Sequence, residues 1–148
     1  MEKVKLAFIG SGGIVRSHLD QGLKEFADVD FVGWCDLIEE AAAARREQVG
    51  GRGRFYADPK QMLDETRPDA VYIMLPPFAH GAAEELVIER RLPFFIEKPV
   101  AIDLPLAQRV AEGVEPLVAC VNVASGAGET AVARQSAGRR ERRLRCST

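Results

Sequence analysis

A glycine-rich turn near the N-terminus constrains the fold of this chain more than any other feature. The residues at 4–9 are mostly β-forming and apolar, Gly10-Ser11-Gly12-Gly13 follows at once, and an amphipathic stretch covers 14–26. This pattern predicts a strand, a tight turn and a helix. Gly10 permits the sharp turn, and Gly12 lets the backbone approach a pyrophosphate bound at the helix N-terminus.

The turn departs from the dinucleotide-binding signature at its third glycine position, where Val15 stands. We expect this side chain to push helix and strand slightly apart. Taken alone, the turn also suits a purely structural loop in another α/β protein. The residues predicted to contact a dinucleotide here are Gly10, Ser11, Gly12, Gly13 and Ile14.

An acidic residue, Asp36, follows the second strand-like run at 31–35 and lies 26 positions after Gly10. In a dinucleotide-binding fold this is where a carboxylate accepts hydrogen bonds from the adenosine ribose. The same charge would repel a 2′-phosphate, so the predicted cofactor is NAD, with NADP left open by Arg45 and Arg46 on the next helix. A structural alternative is that Asp36 caps the helix beginning near residue 37, and both roles can coexist.

The rest of the chain alternates between the two kinds of element. Further strands are predicted at 54–56, 69–75, 93–96 and 117–123, and helices at 38–49, 59–65, 79–90 and 103–112. The segment 69–75 is largely apolar without alternation, which suits a strand covered on both faces. The predicted fold class is therefore α/β, a doubly wound parallel sheet occupying residues 1–123.

Composition sets the broad class. The chain has 148 residues, 47% of them hydrophobic and 28% charged, as in a soluble globular domain. No segment approaches the roughly 18 apolar residues of a spanning helix, and no signal-peptide pattern precedes the first strand, so we expect a cytoplasmic protein without a membrane partner. Three cysteines without metal-like spacing predict buried free thiols and no metal site.

The C-terminal segment 124–148 differs in character from the rest. After residue 129 it carries six arginines against one glutamate, although the whole chain has a net charge of −2. Such a basic segment, rich in small residues, cannot bury enough apolar surface to offset its chain entropy, which predicts a disordered or loosely helical tail. No aromatic residues lie between the arginines, so binding of nucleic acid is not favoured.

Ligands of parallel sheets bind outside the carboxyl ends of the strands, where several marked segments should converge. Leu75-Pro76-Pro77 is a stiff extended ledge with no N–H donor at either proline. His80 follows it as a capping or packing residue, or as an acid or base. His18, inside the first helix, is predicted to be structural. Glu97-Lys98-Pro99 ends another strand, and the proline keeps Lys98 extended, a suitable posture for catalysis beside a cofactor.

These motifs in this order resemble the Gfo/Idh/MocA family of NAD(P)-dependent oxidoreductases over residues 3–112. The resemblance rests on Gly10-Ser11-Gly12-Gly13-Ile14 with His18, Cys35-Asp36, Pro76-Pro77 with His80, and Glu97-Lys98-Pro99. It implies a Rossmann domain that binds a nicotinamide dinucleotide. It also implies that Lys98 lies near the nicotinamide and polarises or protonates the reacting oxygen of a sugar, polyol or similar substrate. The cofactor contacts expected in this half are Leu75, Pro76, Pro77, His80, Glu97 and Lys98.

The same resemblance implies a C-terminal substrate domain, which the sequence after residue 123 does not show. We therefore expect a truncated or frameshifted member that is inactive alone. Two functions stay open, a dehydrogenase with Lys98 at its reacting centre and a non-catalytic dinucleotide-binding module used for sensing or docking. Apolar surface left uncovered by the missing domain predicts association between copies of the chain.

Overall fold

The computed structural model describes residues 2–97, 104–114 and 119–121, and for Val114 and Ala119–Val121 it describes the backbone alone. Its strands are Val4–Ile9 (β1), Val29–Cys35 (β2), Arg54–Tyr56 (β3), Ala70–Ile73 (β4), Phe94–Ile96 (β5) and Ala119–Val121 (β6). Its α-helices are Gly13–Asp20 (α1), Glu39–Gln48 (α2), Pro59–Thr66 (α3), Ala82–Glu89 (α4) and Leu104–Val114 (α5). The predicted domain boundary at 123 and the predicted tail at 124–148 lie outside the described residues.

The strands form one parallel sheet in the order β3-β2-β1-β4-β5-β6, as the α/β prediction requires. The order reverses between β1 and β4, which makes this the doubly wound arrangement of the Rossmann fold. The final residues of the strands pair with one another in a single row, namely Tyr56, Cys35, Ile9, Ile73, Ile96 and Val121. The residues that follow the strands therefore lie along one edge of the sheet.

Alternate residues of each strand face two hydrophobic cores, one on either side of the sheet. In β1, Leu6 and Phe8 belong to the core that contains residues of α1 and α2. Ala7 and Ile9 belong to the core that contains residues of α3, α4 and α5. All four are buried. Burial on both faces explains why the strands read as apolar runs.

Aromatic rings fill the core on the α1 and α2 side, with Phe8 at their centre. Its ring is stacked at centroid distances of 4.5 Å from Trp34, 5.2 Å from Tyr72 and 6.1 Å from Phe31. Val15 belongs to the same core and is fully buried. The residue in the third glycine position thus contributes packing, while the predicted widening between helix and strand stays a prediction.

Two helices differ by more than two residues from their predicted bounds. The predicted helix at 14–26 ends at Asp20 and is followed by a 3₁₀ turn, Leu23–Glu25, because Gly22 has a φ of 118° that no α-helix contains. The predicted helix at 79–90 begins at Ala82, after a second 3₁₀ turn, Pro77–Ala79. The rigid φ of Pro77 suits that tighter turn.

Other local predictions agree with the structure. Asp58 caps α3 by accepting a hydrogen bond from the Lys60 amide at 2.9 Å, and Pro59 takes the first helical position. Cys35 is a buried free thiol. Within the described ranges, no helix combines the length and the hydropathy needed to span a membrane.

Replacing Phe8 by alanine should lower the free energy of unfolding by about 3 to 5 kcal/mol, because it empties the centre of the aromatic core. Phe26→Ala is the matched control, since that ring is largely exposed and should cost about 0.5 kcal/mol or less. Urea unfolding followed by circular dichroism measures both. Similar losses for the two variants would contradict this placement of the core.

Candidate functional site

The marked segments of the sequence lie at the carboxyl edge of the sheet. The turn Gly10-Ser11-Gly12-Gly13 follows β1, Asp36 follows β2, and Leu75-Pro76-Pro77 lies just beyond β4. These are the three central neighbouring strands, and the strand order reverses among them. Glu97 follows β5, the next strand of the sheet. The topological switch point, where Rossmann folds bind dinucleotides, therefore carries the predicted residues.

Gly10 fits against the neighbouring strand without space for a side chain. Its φ is 92°, and its amide donates to the Cys35 carbonyl at 2.8 Å. A Cβ atom at Gly10 would lie 2.3 Å from the Met74 carbonyl oxygen and 2.8 Å from its carbon. Because these are backbone atoms, a small side-chain movement could not relieve the clash. The turn itself therefore requires glycine at this position.

Open space surrounds the next two glycines. A Cβ atom at Gly12 or Gly13 would have no neighbouring heavy atom within 4 Å. Gly12 is the N-cap of α1, and no side chain caps this end of the helix. The first helical amides carry partial positive charge, so this space suits an anion such as a pyrophosphate.

Ser11, which precedes Gly12 in the same turn, carries a further polar group. Its side chain is buried, and its Oγ has no hydrogen-bond partner within the part of the chain that the structure describes. Buried hydroxyls are normally hydrogen-bonded, so the group is suited to a ligand oxygen. Together with the open glycines, it shows that the residues present fit the phosphate groups of a dinucleotide.

The Asp36 carboxylate is held by two backbone amides. Its Oδ2 accepts from the Ser11 amide at 2.7 Å, and its Oδ1 accepts from the Ile38 amide at 2.9 Å. A carboxylate offers about four acceptor positions, so each oxygen retains capacity for a ribose hydroxyl. The alternative in which Asp36 caps the next helix is wrong, because α2 begins at Glu39 with Ile38 at its N-cap and no side-chain cap.

Two arginines had kept NADP as an alternative cofactor, and both lie toward the C-terminal end of α2. Arg45 and Arg46 belong to its last turn. At 1.5 Å per residue, Arg45 is about 9 Å along the helix axis from Glu39, where α2 begins beside Asp36. Arg46 donates to the Gly51 carbonyl at 3.4 Å. The backbone of both arginines thus lies more than one helical turn beyond the start of α2.

His80 lies inside the protein and contacts the proline ledge, Leu75-Pro76-Pro77, through Leu75. Its side chain is fully buried, with Nδ1 2.6 Å from Glu84 Oε1 and Nε2 3.1 Å from the Leu75 carbonyl oxygen. Both ring nitrogens thus contact protein groups in the described structure. A direct contact between His80 and the cofactor stays a prediction, as do the contacts of Leu75, Pro76 and Pro77.

Glu97 forms a contact that the sequence did not indicate. Its Oε1 lies 2.7 Å from His18 Nε2, so α1 is tied to the end of β5. His18 also packs edge-on against Phe95 and Tyr72, as expected of a structural residue. The pair spans 79 positions, and no local spacing could have selected Glu97 as the partner. Lys98 and Pro99, which complete the predicted motif, lie outside the described residues.

The Cys35 thiol at the end of β2 stays protonated. Burial, and then the nearby Asp36 and Asp58 carboxylates, raise its pKa to about 12, so it is a neutral thiol at physiological pH. Among the described residues, no group of three or more His, Cys, Asp or Glu side chains could hold a metal ion.

Comparison with known proteins identifies the class. Residues 4–125 match the Gfo/Idh/MocA family, described as an oxidoreductase family with an NAD-binding Rossmann fold. This match covers most of the chain, so the protein belongs to that family. The resemblance found in the sequence, the Rossmann-like fold and the assignment of NAD are thereby confirmed.

Particular relatives include sugar-related and polyol enzymes. Inositol 2-dehydrogenase/D-chiro-inositol 3-dehydrogenase of Lacticaseibacillus casei is 28% identical over 109 residues, which are 74% of this chain and 32% of that protein. Glycosyl hydrolase family 109 protein 2 of Akkermansia muciniphila is 34% identical over 110 residues, and the match covers 69% of this chain and 23% of that protein. The chain thus spans about a third or less of the length of these relatives.

A solved structure gives the same relationship in three dimensions. Myo-inositol dehydrogenase from Lactobacillus casei, in complex with NAD(H) and myo-inositol, superposes with a TM-score of 0.72 at 27% identity. The match covers 80% of this chain and 36% of that one. The fold is therefore shared with the corresponding part of a larger dehydrogenase.

Two alanine substitutions separate the roles of the glycines. Gly10→Ala should lower the free energy of unfolding by about 3 kcal/mol or more, because it adds a backbone clash to a left-handed φ. Gly12→Ala, with a φ of −75° and open space, should change it by less than about 1 kcal/mol. Chemical denaturation of both variants measures this difference. Equal losses would contradict the tight approach of Gly10 to Met74.

Proposed function

We propose that this chain binds NAD in preference to NADP and forms the cofactor-binding part of a dehydrogenase acting on a polyol or sugar. The observation that carries the proposal is the Asp36 carboxylate, fixed at the end of β2 by the Ser11 and Ile38 amides. A ribose diol presents two hydroxyl donors to such a carboxylate. A 2′-phosphate would bring like charge against it.

The turn after β1 would hold the phosphates. The amides at the start of α1 and the Ser11 hydroxyl offer donors beside the open space at Gly12 and Gly13. Such an arrangement binds anions without a basic side chain. When bound, NAD supplies the hydride acceptor of the reaction, while these residues bind and orient it.

Lys98 is the proposed catalytic residue. It follows Glu97 directly, and Glu97 is buried and bonded to His18 at the end of β5. By analogy with the family, the Lys98 amine would hold or donate the proton at the reacting oxygen of the substrate. The polyol class is supported by the inositol dehydrogenases among the relatives.

The cofactor assignment is tested with Asp36→Asn. Removing the charge should weaken NADH binding by about tenfold or more and reduce the preference for NADH over NADPH, because a charged acceptor for the ribose is lost. Asp69→Asn is the matched control. Asp69 also accepts a backbone N–H, from Lys5 at 2.8 Å, but it precedes β4 at the opposite edge of the sheet.

Isothermal titration calorimetry with NADH and NADPH measures both affinities for each variant. We expect Asp69→Asn to bind both as the unmodified chain does. The proposal is overturned if the unmodified chain binds NADPH as tightly as NADH, or if Asp36→Asn leaves the affinity for NADH unchanged.

The catalytic assignment is tested in a chimera. Residues 1–123 of this chain replace the equivalent segment of the Lactobacillus casei myo-inositol dehydrogenase, and oxidation of myo-inositol is followed by NADH absorbance. Lys98→Met should lower kcat by about 10²- to 10⁴-fold, the usual contribution of a positioned acid or base. Lys60→Met, an exposed lysine on α3, is the control. A Lys98→Met chimera with unchanged kcat would contradict the role of Lys98.

A further inference from the structure

A buried acid–base pair, His80 and Glu84, lies behind the proline ledge, and the proposed function assigns it no task. Both side chains are 0% exposed. His80 Nδ1 contacts Glu84 Oε1 at 2.6 Å, while Glu84 Oε2 accepts the amide hydrogen of Gly81. His80 Nε2 lies 3.1 Å from the Leu75 carbonyl oxygen. A fully buried ionisable pair is costly, so its partners must be well satisfied.

The hydrogen positions follow from the nature of the partners. The Leu75 carbonyl can only accept, so His80 Nε2 carries a hydrogen and donates it. One further hydrogen lies between Nδ1 and Glu84 Oε1, on the ring or on the carboxyl group. The pair has no net charge in either arrangement. The bond from His80 to Leu75 is therefore maintained whichever partner holds the proton.

His80 gives the ledge a side-chain hydrogen bond, besides the one that the Ala79 amide donates to the Pro76 carbonyl at 2.9 Å. Pro76 and Pro77 have no amide hydrogen, so they cannot donate backbone hydrogen bonds that would hold the segment in place. At the other side, the ledge packs on the dinucleotide turn. A Cβ atom at Gly10 would lie 2.3 Å from the Met74 carbonyl oxygen and 3.4 Å from Leu75 Cδ2.

We propose that His80 and Glu84 are positioning residues that fix the ledge for the nicotinamide half of the cofactor. This inference rests on the proposed function. In a doubly wound fold each βαβ half holds one mononucleotide. Asp36 after β2 belongs to the adenosine half, so the ledge after β4 borders the other half. Loosening the ledge weakens binding of the nicotinamide end and leaves the adenosine end unaffected.

The substitution Glu84→Met removes both carboxylate oxygens with little change in volume. His80 Nδ1 and the Gly81 amide then lose their acceptor, and the His80 ring is no longer held against the Leu75 carbonyl. We expect the affinity for NADH to fall by about tenfold, the effect of a lost hydrogen bond to a charged group, and the affinity for ADP-ribose to stay within about twofold. Glu85→Met is the matched control, because Glu85 neighbours Glu84 on α4 but is exposed and pairs with Arg109.

Calorimetry with both ligands distinguishes the possible failures. A chain that does not bind NADH overturns the proposed function itself. If the unmodified chain binds NADH, and Glu84→Met binds it equally well, the positioning role is wrong. Equal weakening of NADH and ADP-ribose also overturns it, since a merely structural role lowers the folded fraction for both ligands alike.

A measurement on the unmodified chain covers the case in which Glu84→Met does not fold. The chain contains two histidines, so the ring ¹⁵N resonances of His80 can be assigned with His18→Gln. We expect the His80 resonances to shift on addition of NADH and to stay in place with ADP-ribose. Unchanged resonances with NADH, or equal shifts with both ligands, would overturn the proposal.

Discussion

The close approach of Gly10 to the Met74 carbonyl is the constraint on which the rest of the site depends. It allows β1 and β4 to end side by side at the point where the strand order reverses. The turn after β1 and the ledge after β4 consequently pack against each other. A residue larger than glycine would separate these segments, and with them the two halves of the cofactor crevice.

Acidic side chains anchor the surrounding segments in a common manner. Asp36 binds the amides of Ser11 and Ile38, Glu84 binds His80 and the Gly81 amide, and Glu97 binds His18. Each carboxylate joins a segment at the carboxyl edge to a neighbouring element or turn. A binding site formed from loops needs such support, because preorganised groups lose less freedom when a ligand binds.

Local sequence signals predicted the elements well. The strands predicted at 4–9 and 54–56 correspond to β1 and β3, and Asp58 with Pro59 marked the start of α3 correctly. The end of α1 was predicted too late. Apolar periodicity continues past residue 20, whereas the backbone turns at Gly22, and a pattern of side chains carries no record of that φ.

The sequence predicted which segments lie at the carboxyl edge of the sheet, but not which of their side chains form hydrogen bonds with each other. Ordering the strands placed the glycine turn, Asp36 and the proline ledge at one edge. The partners of His18 and His80 were not predictable to the same degree. Glu84 is one helical turn from His80, a spacing that could have suggested the pair, whereas Glu97 is 79 positions from His18 and meets it only through the packing of α1 on the sheet.

The sequence by itself determined the order of strands and helices, the glycine turn and the place of Asp36 after the second strand, because these depend on local propensity and periodicity. The tertiary structure decided which polar groups pair and which remain available to a ligand. Ser11 Oγ is buried without a partner in the described residues, while His80 is satisfied on both nitrogens. That distinction depends on distances between segments remote in the chain, and only the folded packing sets them.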